Sequence, residues 1–266
     1  MKPIKTSAPG KLLLLGDHAV VYNRPCLAMA INKFVTVTTV EKKEKESAFV
    51  AATRQLFERK YGPVRVGFKI DGFDSRLGLG SSAAVTVAVA KALFKLKKIK
   101  VSKKELFDFC YKVVKSVQGV GSGFDVAASI YGGVVYFVTG GKVIEKLAVK
   151  ELPIVVGYSG VKADTAAMIK KAAPKINRQF LEASTQIVNR GWTALEQKNW
   201  PELGRLMNQN QALLRRLGVS TPKLDQMIET ALAAGAYGAK LSGAGGGDCM
   251  IALVSPKRRA AVERAI

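Results

Sequence analysis

Residues 77–84, LGLGSSAA, bring glycines and two serines together where a turn-prone segment meets an apolar run, Val85 to Leu96, with helical spacing. A glycine-rich loop that opens a helix is an anion site. Its glycines let the backbone approach a polyphosphate, the first-turn N–H groups lack intrahelical partners, and the helix dipole adds partial positive charge. The same residues equally suit a tight loop whose helix is N-capped by Ser81 or Ser82. Two further small-residue stretches shift that balance: SAPGK at residues 7–11 and SGAGGGD at residues 242–248.

Phosphoryl transfer needs a phosphate cradle, a divalent ion, a group that takes or orients the acceptor's proton, and a cation that offsets transition-state charge. The chain offers a candidate for each. Residues 78–84 are the cradle, Ser81 or Ser82 can present a hydroxyl to Mg2+, and Asp125 lies in a glycine-flanked turn as a base. Lys11 supplies the cation and lowers the carboxylate's pKa. Each has a structural alternative at this level: Asp125 as a helix N-cap, Lys11 as a solvated turn residue, residues 243–247 as a plain hairpin. His18 is the only histidine; a lone histidine usually belongs to a surface or core, but this one adjoins Asp17 just after a lysine-bearing turn. A Walker A loop and the HRD and DFG motifs of protein kinases are absent from the sequence, and one histidine leaves no basis for a metal-hydrolase cluster.

The elements that must position these groups follow from periodicity. Residues 4–16 read as a short strand, a Pro-Gly turn and a second strand from Leu12 to Leu15. The alternation from Phe34 to Val40 marks a strand, residues 41–46 a charged turn, 49–61 a helix and 64–70 a strand. Ser102 and Glu105 form a capping box for a helix running to about Val117. A strand over 134–138 and another over 152–158 follow, then helices from Thr165, near 176–196 and 200–217, and from Pro222 to Ala234, with a strand from Cys249 to Val254. The first half is richer in strands and the second in helices, so a domain boundary is expected near residue 150.

The length of 266 residues suits one large or two ordinary domains, and with 48% hydrophobic residues a substantial core is expected. No apolar run reaches the length of a membrane span, and the start of the chain has no signal-peptide pattern. Three widely spaced cysteines, Cys26, Cys110 and Cys249, argue against a disulfide framework or a zinc site, so a reducing cytoplasm is the expected location. The net charge of +22 raises polyanion binding, but the basic residues are dispersed and carry no RNA-binding aromatic motif or zinc-finger spacing. A positive field that draws in small anionic substrates fits the same charge.

Together, SAPGKLLLLGDHAVVY, GLGSSAAV and KLSGAGGGDC resemble the three signature motifs of the galactokinase, homoserine kinase, mevalonate kinase and phosphomevalonate kinase superfamily, in order and over nearly the whole chain. The resemblance implies an α+β fold of two domains, 1–150 and 151–266, with the active site in the cleft between them, and it implies ATP and Mg2+. It makes Lys11 and Asp125 the catalytic pair. Gly78, Leu79, Gly80, Ser81, Ser82 and Ala83 become the phosphate loop, with the Ser82 hydroxyl on the Mg2+ side. Gly243, Ala244 and Gly245 close the nucleotide site from the other domain. Asp17, His18, Ser122 and Thr165 are expected to place a small-molecule acceptor, with no nucleic acid or membrane partner; a homodimer stays open.

Residues 16–22, GDHAVVY, resemble the GEHAVVY of the mevalonate kinase branch with Asp for Glu. Residues 118–128 and 245–249 resemble the phosphomevalonate kinase branch. The expected acceptor is therefore mevalonate, with phosphomevalonate as the alternative. The Mg2+-binding glutamate that the first branch commonly carries ahead of the catalytic aspartate is replaced by Val114, and a proline before Ser122 by Gly121.

Overall fold

The computed structural model describes residues 2–41, 45–147, 149 and 152–266. In chain order the elements are β1 Lys5–Leu15, β2 Pro25–Val40, α1 Ala48–Tyr61, β3 Gly67–Asp71, α2 Ser81–Leu96, α3 Lys103–Gln118, α4 Phe124–Tyr131, β4 Val134–Val138 and β5 Val143–Leu147. The rest are β6 Ile154–Tyr158, α5 Thr165–Ala172, α6 Arg178–Glu196, α7 Trp200–Leu217, α8 Pro222–Ala233, β7 Gly238–Ser242, β8 Cys249–Leu253 and α9 Arg259–Ala265. Residues 42–44 of the expected charged turn, and residues 150 and 151 at the expected boundary, lie outside the described residues.

The long β2 is the spine of an antiparallel five-stranded sheet. Its start pairs with β4 and its end with β3, β1 runs along its other edge, and β5 extends the sheet beyond β4. Successive side chains of a strand point to opposite faces, and both faces here are apolar. Leu13, Val35 and Val37 pack under α1 to α4. Leu12, Leu14, Leu15 and Leu27 meet Val188 and Leu195 of α6, Leu203 and Leu206 of α7, and Ile251 and Leu253 of β8. That second cluster joins the two halves of the chain. The antiparallel sheet β6-β8-β7 turns its other face, with Met250 and Ala252, toward Leu224 and Ile228 of α8 and Val262 of α9.

Three expectations change. Pro9-Gly10 is no turn: β1 is continuous through it, and the register shifts between Pro9 and Lys11 as β2 passes opposite with extra residues, Pro9 facing Phe34 and Lys11 facing Ala30. The bulge forms because pairing along a whole strand outweighs the local turn tendency. Residues 64–66 stay outside β3, since side chains of α1 take their backbone groups: Val64 N–H donates to Glu58 Oε1 at 3.1 Å and Arg54 Nη2 donates to the Val66 carbonyl at 2.8 Å. Two strands, β5 and β7, join those expected. The capping box forms as read, with Glu105 N–H donating to Ser102 Oγ and Ser102 N–H to Glu105 Oε2. Among the described residues no helix is long and apolar enough to cross a membrane, and all three cysteines are buried free thiols.

Candidate active site

The register shift between β1 and β2 delivers Lys11 to the first glycine loop, where it is tied by both its backbone and its side chain. Its backbone N–H donates to the Leu79 carbonyl at 2.8 Å, and its ammonium donates to the Gly78 carbonyl at 3.0 Å, 5.4 Å from the centre of the Phe124 ring. Lys11 is 8% exposed, which removes the reading of a solvated turn residue. Two glycines are required by this approach. Gly78 (φ 69°) and Gly80 (φ 78°) are left-handed; a Cβ on the first would lie 2.5 Å from the Asp248 carboxyl group, and on the second 2.7 Å from Lys11 Cγ.

Three helix N-termini open onto one cavity of about 590 Å³. The cap of α2 is Gly80 rather than Ser81 or Ser82, because the left-handed turn places both serines inside the helix. Its first helical bond runs from Ala84 N–H to the Gly80 carbonyl at 3.0 Å, so the N–H groups of Ser81, Ser82 and Ala83 precede the ladder. Helix α4 is capped by Gly123, so Asp125 sits in its first turn and is not the cap; its Oδ1 accepts from the Val126 N–H at 2.9 Å. Helix α5 is capped by Asp164, whose Oδ1 accepts from the Ala167 N–H at 3.0 Å, and begins with Thr165. Three positive dipole ends converging on one volume favour a bound anion.

Lys11, Asp125, Gly78, Gly80, Ser81, Ser82, His18, Ser122, Thr165, Gly243 and Ala244 all line this cavity. The other expected site residues do not. Leu79 turns its side chain into the core shared by the halves and offers only its carbonyl to Lys11. Ala83 is fully buried beneath the helices. Gly245 lies behind Ala244, against the Val219 backbone. Asp17 is fully buried, with Oδ1 accepting from the Gly243 N–H at 2.9 Å and Oδ2 lying 2.8 Å from Lys240 Nζ, so its carboxylate is spent inside the protein. The third glycine loop does connect the hairpin β7-β8, and it also closes one wall of the cavity.

Burial pushes the Lys11 ammonium below its ordinary 10.5, opposed first by the Asp125 charge and then by Asp248. Burial likewise raises the Asp125 carboxyl above 3.8, opposed first by Lys11 and then by the Val126 N–H. Each is the other's leading electrostatic partner, and each is held closer to neutrality than in water. His18 is lowered by burial, against the bond of its Nε2 to the Ala244 carbonyl at 2.9 Å. A carbonyl only accepts, so Nε2 carries the proton and Nδ1 is left as the acceptor.

Val114, 2% exposed, contributes an apolar patch to the cavity wall. Two further carboxylates, Asp164 and Asp248, line the same cavity. Reading the third loop by its glycines passes over Asp248, which accepts from the Ala163 N–H at 3.0 Å and pairs with Lys162 at 3.4 Å. An acidic residue ending a glycine run just before a buried strand was the available signal; Lys162 had none, being one base among many. Among the described residues no group of three or more His, Cys, Asp or Glu side chains is arranged to hold a metal ion.

Residues 48–133 match the GHMP kinases N-terminal domain and residues 193–266 the GHMP kinases C-terminal family. The mevalonate kinase of Pyrococcus furiosus is 36% identical, over 95% of this chain and 90% of its own. The chain belongs to the GHMP kinases. Among solved structures, the Methanococcus jannaschii mevalonate kinase superposes with a TM-score of 0.85 at 26% identity, over 98% of this chain and 93% of that one. The Streptococcus pneumoniae phosphomevalonate kinase shares the fold, with a TM-score of 0.88 at 24% identity over 98% and 94% of the two chains. The fold is thus the α+β fold of the GHMP kinases, and the chain is an ATP-dependent kinase that acts on a hydroxyl group.

Proposed function

We propose that this GHMP kinase transfers the γ-phosphoryl group of ATP to the 5-hydroxyl of mevalonate. The observation that carries the reading is the meeting of Lys11 and Asp125 in one cavity at the N-terminus of α2. Identity of 36% to a mevalonate kinase over nearly the full chain supports the acceptor.

In this reading Gly78, Gly80, Ser81 and Ser82, with the backbone of Leu79 and Ala83, hold the nucleotide's phosphates, and Gly243 and Ala244, backed by Gly245, close over them. The acceptor oxygen attacks the γ-phosphorus while the bond to the bridging oxygen of ADP breaks. The hydroxyl proton passes to Asp125, whose Oδ1 is steadied by the Val126 N–H, leaving Oδ2 for the acceptor. Lys11 offsets the charge that gathers on the transferring group. His18, Ser122 and Thr165 line the acceptor's end of the cavity. Two units, 1–150 and 151–266, each contribute walls to it.

Mg2+ keeps most of its shell as water and phosphate oxygens and needs only one or two protein oxygens. The Ser82 hydroxyl, at a helix N-terminus in a cavity that also holds carboxylates, fits such a phosphate-borne ion. When bound, the ion neutralises phosphate charge; Val114 lends it no oxygen.

Phosphomevalonate as acceptor is the second reading, favoured by one observation: Lys162, half exposed, lines the same cavity and could meet a second phosphate. An ATP-coupled assay offering each acceptor separately tests the order. Turnover of mevalonate is expected; turnover of phosphomevalonate alone would reverse the assignment.

A further inference from the structure

A second acid–lysine pair lies sealed inside the molecule. Asp17 Oδ2 is 2.8 Å from Lys240 Nζ, and neither side chain has any exposed surface. Apart from that ammonium, Oδ2 has no hydrogen-bond partner among the described residues. The Lys240 ammonium also donates to the carbonyls of Leu241 and, at 3.4 Å, of Leu13. Neighbouring residues add parallel links: Leu13 N–H donates to Ser242 Oγ at 2.9 Å, Gly243 N–H to Asp17 Oδ1, and His18 Nε2–H to the Ala244 carbonyl. The approach to the third glycine loop is therefore stitched to residues 13–18, more than two hundred positions earlier.

Net stability does not account for the pair, since burying two charges gains little over an apolar pair of equal volume. Contact with the acceptor does not account for it either, because Asp17 is absent from the cavity lining and both its oxygens are engaged. What needs an anchor is the loop. Gly243, Gly245, Gly246 and Asp248 all adopt positive φ, between 56° and 114°, in a stretch with little side chain of its own to fix it.

We infer that Asp17 and Lys240 are positioning residues, whose ion pair sets the third glycine loop over the nucleotide through the Gly243 N–H. This rests on the nucleotide role proposed above for residues 243–245. The pair acts at one remove from the reaction, so its loss moves the loop and leaves the acceptor's own contacts in place.

The test is calorimetric binding of a non-hydrolysable ATP analogue, with kcat and acceptor KM, in Asp17→Asn, Lys240→Met and the double variant. Asparagine keeps the oxygen that accepts from Gly243, so each single substitution leaves one buried charge unmatched. Each is expected to weaken analogue binding and lower kcat by about 100-fold with acceptor KM unchanged, and the double variant, which lacks the same ion pair, to lose no more than the worse single one. A rise in acceptor KM with normal analogue binding in Asp17→Asn, a folded double variant that binds the analogue as the wild type does, or losses that multiply in the double variant, would overturn the inference. Where a single variant does not fold, Asp17→Glu keeps the charge and displaces it: weaker analogue binding with acceptor KM unmoved supports the inference, and the opposite split overturns it. Analogue binding needs no acceptor, so a wrong acceptor shows separately, as wild-type protein that binds the analogue without turning over mevalonate.

Discussion

Two acid–lysine pairs begin in the same N-terminal segment and end in opposite surroundings. Lys11 and Asp125 face a cavity with helix N-termini around it, and each is shifted by burial toward its neutral form. Asp17 and Lys240 touch at 2.8 Å with no cavity between them, and their remaining polar atoms are directed at backbone. An acid and an amine become reactive where packing leaves atoms facing a ligand's volume. Where every atom is taken, the same chemistry becomes a fastener.

The sharpest way to break this contrast is Asp125→Asn. Removing the proton acceptor should lower turnover by about 10²–10⁴-fold while the melting temperature stays near wild type, measured by coupled assay and calorimetry. Near-normal turnover would remove Asp125 from the chemistry. Lys11→Met comes next, with an expected loss of about 10²–10³-fold in kcat. Because Lys11 opposes the upward shift of Asp125, any residual activity should show its acid limb at higher pH than wild type.

Gly80→Ala tests the loop rather than the pair. A left-handed alanine costs about 1–2 kcal/mol, and its Cβ would press on Lys11 Cγ. Denaturant unfolding should show that loss together with a fall in kcat that Lys11→Met would mask. The smallest effect is expected far from either pair. Ser102→Ala removes one half of the capping box of α3 and should cost about 1 kcal/mol of stability with kcat unchanged.

The helices were legible because their signals are local. Apolar spacing marked α1, α2, α6 and α7, Ser102 with Glu105 announced the start of α3, and Pro222 that of α8. That Lys11 and Asp125 share one cavity was legible too, since each was read from a glycine-bearing turn. What escaped depends on partners distant in the chain. Pro9-Gly10 carries turn residues, yet β2 lies alongside the whole of β1 and keeps them in the strand, the register shifting as β2 bulges opposite. β7, with all five residues buried, includes a lysine that only Asp17 can explain. Asp17 was expected to place the acceptor because GDHAVVY resembles a mevalonate kinase motif, and nothing local shows that its side chain and that of His18 part ways, His18 alone lining the cavity.

The pH dependence of kcat/KM tests the central claim most directly. The Asp125 carboxyl is raised, so the rate should be lost as pH falls through a value above the ordinary 3.8. The Lys11 ammonium is lowered, so the rate should fall again as pH rises, before the ordinary 10.5. A bell with both limbs drawn inward, its acid limb abolished in Asp125→Asn, is the predicted result. A profile whose acid limb survives unchanged in that variant would contradict the assignment of Asp125 and Lys11 as the reactive pair.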